Sequence, residues 1–324
     1  MEQTRLGRSE LVVSRVAFGT WQLGGDWGPT DEAEAVAAIR RAADLGVTLF
    51  DTAQAYGFGA SERLLAKALD GRRDGLVVAT KGGLRPTDGG GVARDASPTW
   101  IRRGVEESLR ELRTESIDLY QVHWPDPATP LEETAATLAE LVAEGKVRHV
   151  GVSNFDAVQI EAFSATLPVE TLQPPYHLFH RAIEASVLPF AQAHDIGVLV
   201  YGPLAHGLLG GSLREDTRFA PGDWRAASAD FRDDSYKRNL AAAAEVERLA
   251  SELGISLSQL AVAWTLANAA VDVAIVGTRN PAHVGQAVAA ADIVLEPGVL
   301  ERIDEIMRGA QPIAGPCPES MPEA

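Results

Sequence analysis

The chain has 324 residues, and 45 acidic side chains against 29 basic ones leave a formal net charge of -16. That excess repels nucleic acid and anionic membrane surfaces as a whole, so neither is expected as a partner, while a local basic pocket for one phosphate stays compatible with it. Cys317 is the sole cysteine, which excludes an internal disulfide and any thiolate-rich metal site.

At this length two average domains or one α/β barrel with insertions are both allowed, and 46% hydrophobic residues suffice for a large core. Met1 to Glu10 holds no apolar segment of signal-peptide length, and no later run approaches ~18 apolar residues, so the expected location is the cytoplasm.

Leu6 to Val13, with Gly7-Arg8-Ser9-Glu10 as its turn, reads as a short hairpin that would plug the far end of a barrel whose first strand is Val16 to Gly19. Short apolar runs then alternate with helical spacings. Strands are expected at Val47 to Phe50, Leu76 to Thr80, Ile117 to Val122, Val147 to Val152, Glu170 to Gln173, Gly197 to Tyr201 and Asp272 to Val276. Helices are expected near Asp31 to Leu45, Ser61 to Leu69, Pro98 to Leu112, Leu131 to Ala143, Asp156 to Ser164, Ala182 to His194 and Ser256 to Ala270, with a final one near Ile306. Ser97 before Pro98 is an N-cap followed by proline at the first helical position, and Ile101, Val105, Leu109 and Leu112 form the buried stripe behind it.

Eight strand-helix units favour one closed (β/α)8 barrel over an open sheet, with residues 1–324 as a single domain. Gly202 to Ser235 departs from the repeat: it is long and polar, with the length of a loop that covers a ligand or of a tolerated surface insertion. The tail 310–324, with Pro312, Pro316, Pro318 and Pro322, cannot be helical and is expected to be extended or mobile.

Three expected strands each run into one ionisable group. Val47 to Phe50 meets Asp51, Leu76 to Thr80 meets Lys81, and Ile117 to Val122 meets His123, while Tyr56 follows Asp51 in a loop before Gly57 and Gly59. In a parallel barrel with these strands as neighbours, all four groups converge on the rim where barrel active sites lie. Taken singly, Asp51 could be a cap, Lys81 a solvated strand end, His123 a packed histidine and Tyr56 a core residue with its hydroxyl at the surface. Three consecutive strands delivering matched groups to one rim is the observation that separates a site from a coincidence.

A phenol with an ordinary pKa of ~10 needs ~3 to 4 kcal/mol to fall by two or three units, and one ammonium ~4 Å away at an effective dielectric near ~20 supplies about that much. Lys81 beside Tyr56 is therefore sufficient, and Asp51 would hold the lysine charged against desolvation. His123 would orient or polarise a substrate oxygen. The set protonates an oxygen but holds no nucleophile with a dedicated base, so a two-electron partner has to come from elsewhere.

Two loops point to that partner. Tyr201-Gly202-Pro203-Leu204-Ala205-His206-Gly207 follows the seventh expected strand, and Gly277-Thr278-Arg279-Asn280-Pro281 ends the eighth and opens a helix. Backbone amides at a helix start and the planar fork of Arg279 suit phosphate, which barrels commonly bind at these two loops. No G-x-G-x-x-G occurs, so a Rossmann domain is not the source of a nicotinamide site. His177 and His180, three apart, are a weak metal hint with no nearby cysteine or acidic cluster, and no metal is expected. Trp21, Phe58 and Trp124, with Tyr56 and His123, either line an apolar substrate pocket or serve as packing.

From the Leu6-Gly7 hairpin to the helix near Ile306 the chain resembles the aldo-keto reductases, a (β/α)8 TIM barrel family with an N-terminal hairpin and an extra C-terminal helix. The string Gly151-Val152-Ser153-Asn154-Phe155 is similar to the family's, and Leu172-Gln173-Pro174-Pro175-Tyr176-His177 to the bacterial branch that includes the potassium-channel β subunits. The resemblance implies a catalytic tetrad of Asp51, Tyr56, Lys81 and His123. It implies Gly19, Thr20 and Trp21 near the nicotinamide ribose, with Asp51 adjoining, Ser153, Asn154 and Gln173 on the carboxamide, and Tyr201 on the ring face. Gly202, Leu204 and Gly207 would follow the pyrophosphate, and Gly277, Thr278, Arg279, His283 and Gln286 the adenosine side. Arg279 facing a 2′-phosphate implies NADPH, with NADH as the alternative. The chain departs from the family pattern at Val276, where proline is common, and at Gln286-Ala287, where a Glu-Asn pair is common. The expected activity is reduction of a small-molecule aldehyde or ketone to an alcohol, and the alternative is a slow, redox-sensing NADPH-binding protein of the same fold.

Overall fold

The structure is a computed structural model that describes residues 1–318 apart from 26, 29, 89, 90, 221 and 314. It opens with an antiparallel pair, β1 (Gln3–Arg5) and β2 (Val12–Ser14). The ladder starts three residues ahead of the expected hairpin, for a physical reason. Leu6 and Leu11 turn inward with Val13 as a plug, packed on Ala17, Leu49, Leu119 and Leu199, so the partner strand of Val12–Ser14 is Gln3–Arg5, with Val13 opposite Thr4.

Chain order then gives β3 (Val16–Gly19), α1 (Glu32–Asp44), β4 (Leu49–Asp51), α2 (Ala60–Ala68), β5 (Val77–Gly82), β6 (Leu84–Pro86), β7 (Val92–Arg94), α3 (Pro98–Leu112), β8 (Ile117–Val122) and α4 (Leu131–Ala143). The second half comprises β9 (Val147–Ser153), α5 (Ala157–Ser164), β10 (Thr171–Gln173), α6 (Val187–Ala193), β11 (Gly197–Tyr201), α7 (Asp233–Glu252), α8 (Leu257–Ala267), β12 (Val273–Gly277), α9 (Pro281–Ala289) and α10 (Pro297–Met307). Strands β3, β4, β5, β8, β9, β10, β11 and β12 pair in that order, all parallel, and β12 pairs back onto β3 to close the barrel. The fold is therefore the (β/α)8 barrel that the repeat predicts.

Local chemistry explains the boundaries. Asp31 accepts from the Ala33 and Glu34 amides at the start of α1, Ser97 accepts from Trp100 at the start of α3, and capping boxes open α5 (Asp156 with Gln159) and α8 (Ser256 with Gln259). The expected helix Ala182 to His194 is instead a 3-10 turn over Ala182–Ala185 followed by α6, because Ser186 at φ -145° breaks the spiral. Two elements were not expected at all: the hairpin β6–β7 after β5, and the 20-residue α7. Among the described residues no single helix is long and apolar enough to cross a membrane.

Within the expected tail, residues 314 and 319–324 lie outside the described residues. Residues 311–313 are held against the barrel: the Gln311 amide donates to Asn239 Oδ1 at 2.8 Å, and the Ile313 amide to the Phe179 carbonyl at 2.9 Å, with the Ile313 side chain buried.

Candidate active site

β4 and β5 run one and two residues further than the apolar pattern suggests, so Asp51 and Lys81 stand inside the ladder, not beyond it. Asp51 pairs with Ala79 and Lys81 with Gln121, and the His123 amide donates to the Gly82 carbonyl at 2.9 Å just past the end of β8. Neighbouring strands thus deliver the three groups to one rim. Tyr56 arrives from the β4–α2 loop, where Gly57 (φ 62°), Phe58 (φ 42°) and Gly59 (φ 93°) turn the chain back into α2. At Gly57 a Cβ would lie 2.5 Å from the Gly24 carbonyl, so glycine is required where this loop meets the one after β3.

Lys81 is the hub. Its Nζ donates to Asp51 Oδ2 at 2.6 Å, to the Thr52 carbonyl at 2.9 Å and to the Tyr56 hydroxyl at 3.4 Å. Burial pushes the lysine below its ordinary pKa, and the Asp51 carboxylate pulls it back. The Tyr56 and His123 rings meet edge to face with centroids 5.7 Å apart. Burial, with Lys81 adding to it, holds His123 well below the usual imidazole range, so the ring is neutral. Its Nδ1 has no hydrogen-bond partner among the described residues.

A second network adjoins the first. Gln173 Nε2 donates to Asp51 Oδ1 at 2.8 Å, and the Ser153 hydroxyl donates to the Gln173 carbonyl at 2.7 Å. Asn154, held at φ 62°, donates from Nδ2 to the His123 carbonyl at 3.0 Å and accepts from the Tyr201 hydroxyl at 2.9 Å. Six strand ends, from β4 round to β11, are therefore tied together at the rim.

These residues border a cavity of about 1120 Å³. Of the residues singled out in the sequence, Gly19, Trp21, Asp51, Tyr56, Phe58, His123, Trp124, Ser153, Asn154, Gln173, Tyr201, Gly202, Leu204, Gly207, Gly277, Thr278 and His283 line it. Four stand elsewhere. Lys81 lies behind Asp51 and Tyr56, and Thr20 is buried with its hydroxyl donating to the Asp51 carbonyl at 3.1 Å. Arg279 sends Nη1 to the Trp27 carbonyl at 3.2 Å, and Gln286 is exposed on α9.

Sequence reading missed part of the wall. Leu84 and Val92 come from β6 and β7, and Asp-Gly in the segment between them, Asp88-Gly89-Gly90-Gly91, was a readable hairpin signal. Asp223 and Arg225 come from the long loop after β11, which contains 3-10 turns at Ala205–Gly210, Trp224–Ala226 and Ala229–Phe231. That loop reaches across the mouth: Asp223 bridges to Trp27, and the Arg225 guanidinium lies between the Trp27 and Phe219 rings at 4.5 and 4.6 Å. Pro316, Cys317 and Pro318 of the tail also border the cavity, with no signal in composition or spacing to announce it. His177 and His180 lie with ring centroids 5.8 Å apart, and among the described residues no group of three or more His, Cys, Asp and Glu side chains is arranged to hold a metal ion.

The barrel thus brings an Asp-Lys-Tyr hub and a neutral histidine together at its mouth. The Aldo/keto reductase family model matches residues 15–308, and the chain belongs to that family. It is 44% identical over 285 residues to aldo-keto reductase YhdN of Bacillus subtilis, covering 87% of this chain and 86% of the relative. It is 33% identical to the NADH-specific methylglyoxal reductase of Escherichia coli, covering 91% and 95%. The solved glycerol dehydrogenase AKR11B4 from Gluconobacter oxydans superposes with a TM-score of 0.88 at 40% identity, covering 97% and 98%. The protein is accordingly an NAD(P)H-dependent oxidoreductase.

Proposed function

We propose that the protein reduces aldehydes or ketones to alcohols, with Tyr56 as the proton donor and NADPH as the reductant. The observation that carries this reading is Lys81 Nζ, buried, 2.6 Å from Asp51 Oδ2 and 3.4 Å from the Tyr56 hydroxyl at the mouth of the barrel. An ammonium donating to a phenol oxygen favours the phenolate, so the hydroxyl gives up its proton more readily to a substrate oxygen that is gaining charge. Asp51 keeps that ammonium charged in a buried place. His123, being neutral, offers an N–H to the same substrate oxygen and fixes its direction without adding a second full charge.

The cavity suits a nicotinamide dinucleotide, since it is larger than a small carbonyl compound needs and is lined by the amides and hydroxyl of Ser153, Asn154 and Gln173 and by Gly202, Gly207 and Gly277. A dinucleotide bound there supplies the hydride. Ser153, Asn154 and Gln173 would hold its carboxamide and Tyr201 its ring face; their mutual hydrogen bonds set these groups before any ligand arrives. Gly202, Leu204 and Gly207 would follow the pyrophosphate, and Thr278, Arg279 and His283 the adenosine side. Arg279 supports NADPH; the 33% identity to an NADH-specific relative keeps NADH as the alternative. Trp21, Phe58 and Trp124 would face the substrate.

The test is Tyr56→Phe. Turnover of a panel of aldehydes with NADPH should fall by more than about 100-fold, the usual scale for losing an acid catalyst, while cofactor affinity by fluorescence quenching stays within about threefold. Unchanged turnover would discard the proton-donor assignment, and one slow oxidation per bound cofactor in the wild type would assign a sensor instead.

A further inference from the structure

Behind β5, on the side away from the cavity, lies a set of buried polar side chains that the chemistry above does not use. Successive side chains of a strand face opposite ways. Lys81 reaches Asp51 inside the barrel, whereas Thr80, fully buried, turns to the helical layer and donates its hydroxyl to Glu62 Oε1 at 2.7 Å. Glu62 stands in the first turn of α2, six residues after Tyr56, with 0% exposure. Among the described residues it has no ion pair, and its Oε2 makes no hydrogen bond within ordinary geometry, the neighbouring Ser108 hydroxyl being the group placed to approach it. The Tyr120 hydroxyl of β8 and Gln54 Oε1 of the Tyr56 loop are also without partners, and each lies 3.0 Å from where a Cβ on Gly104 of α3 would be.

A buried polar atom left unsatisfied costs about 1–3 kcal/mol, and a buried carboxylate without a counterion costs more. A leucine or methionine at position 62 would avoid that cost, so the carboxylate calls for a function beyond packing. The buried cation next to it along β5 is Lys81, whose backbone adjoins Thr80.

We propose that Glu62 is a positioning residue for the proton transfer: held behind β5 by Thr80, its carboxylate acts across the strand on the Lys81 ammonium and keeps it charged as pH rises. The inference rests on reading Lys81 as the cation that serves Tyr56. The groups around Glu62 set the sign. From β5 come Thr80 and Lys81, from β4 Asp51 across Lys81, from β8 Tyr120, from α3 Ser108, Glu107 and Glu111, and from α2 itself Arg63, paired with Glu111. Burial raises Glu62 above the ordinary carboxyl range, the Thr80 and Ser108 hydroxyls oppose this, and Glu111 and Glu107 add to it. On Lys81 burial is the largest influence and lowers it; Asp51 and then Glu62 act the other way. On the alkaline side Glu62 is charged, so its removal lets Lys81 lose its proton at lower pH.

The chain has four lysines, Lys67, Lys81, Lys146 and Lys237. Lysine labelled with carbon-13 at Cε therefore gives a countable spectrum in which Lys81 is assigned by its loss in Lys81→Met. In Glu62→Gln the Lys81 titration midpoint should fall by about one pH unit, the order of coupling between buried charges out of contact at an effective dielectric near ~20. The alkaline limb of kcat for aldehyde reduction should fall with it, while kcat on the plateau stays within about twofold. Glu62→Asp, with a shorter reach, should give a smaller shift of the same sign, and serves where Glu62→Gln does not fold. Glu111→Gln, at a carboxylate of α3 already paired with Arg63, should leave the midpoint in place. Unmoved midpoints in both Glu62 variants, or an equal shift in Glu111→Gln, would overturn the proposal. A shifted midpoint with an unmoved kcat limb would leave the Glu62–Lys81 coupling standing and sink the link from Lys81 to proton transfer.

Discussion

Gly82 is the residue on which the lysine's strand depends. A Cβ there would lie 1.8 Å from the Tyr120 hydroxyl and 2.8 Å from Cζ, with both residues in the interior. Gly82→Ala is therefore expected to destabilise the fold by about 1–3 kcal/mol, the scale of core overpacking. Tyr120→Phe, which deletes a hydroxyl that has no partner, should by itself change stability by less than about 1 kcal/mol and should recover part of the loss when combined with Gly82→Ala. Urea unfolding of the two single variants and the double variant measures this, and a strictly additive double would show that the clash is not with Tyr120. At this scale much of the site was legible, because an ionisable group at the end of an apolar run is conspicuous. Asp51, Lys81 and His123 stand together for that reason, and Tyr56 joins them because a tyrosine among glycines marks a loop. Thr20, Arg279 and Gln286 were harder, since their place relative to the cavity depends on side-chain direction, which no spacing encodes. Glu62 and Tyr120 looked like ordinary helix and strand residues until the structure closed them off from solvent.

At the scale of elements, legibility tracked how each segment buries itself. α3 and α4 match their expected limits because a 3.6-residue apolar stripe runs their whole length, and β8 and β11 because each is a short segment buried at nearly every position. The loop after β11 buries single aromatics, Trp224 and Phe231, with no repeating stripe, so periodicity is silent there. The inward face of α7 is mostly alanine, Ala242, Ala243 and Ala250 with Val246 and Leu249, a helical spacing of low contrast that was readable and was missed. Strand pairing also carries a pH-dependent contribution. His149 of β9 lies with Nδ1 2.6 Å from Glu170 Oε2, at the entry to β10, and this bond above all raises the imidazole pKa. A histidine raised in the folded state stabilises it fully below its unfolded pKa of ~6.5 and loses that contribution as pH climbs through the folded value. The pair is partly solvated, so about 0.5 kcal/mol is the expected size. The difference in urea stability between wild type and His149→Gln should accordingly be larger near about pH 6 than near about pH 9. A difference that grows with pH would show that the histidine is held neutral.

The whole molecule separates stability from chemistry along the barrel axis. Leu6, Leu11 and Val13 fill the end opposite the rim that holds Lys81, and the hairpin is locked there by backbone contact: a Cβ on Gly7 would meet the Gly197 amide at 2.2 Å, and one on Gly197 would meet the Leu6 carbonyl carbon at 2.6 Å. This plug was anticipated from the sequence because a short hairpin ahead of eight strand-helix units has one free place to go, although its pairing register was not, since which residues face the floor is decided by the barrel's own side chains. Bottom-face packing in such barrels serves stability, while reactivity sits at the C-terminal ends of the strands. Leu6→Ala removes a fully buried side chain from the plug and is expected to cost about 2–4 kcal/mol, read as a lower urea midpoint at unchanged slope. At temperatures well below unfolding, kcat/KM for aldehyde reduction should stay within about twofold, because a loss of 1.4 kcal/mol in transition-state stabilisation is already about tenfold in rate and none of the rim's hydrogen bonds involves the plug. A variant that lost stability and turnover in proportion would mean that the floor of the barrel holds the strands in register at the rim, and that Asp51, Lys81 and His123 owe their alignment to residues at the other end of the molecule.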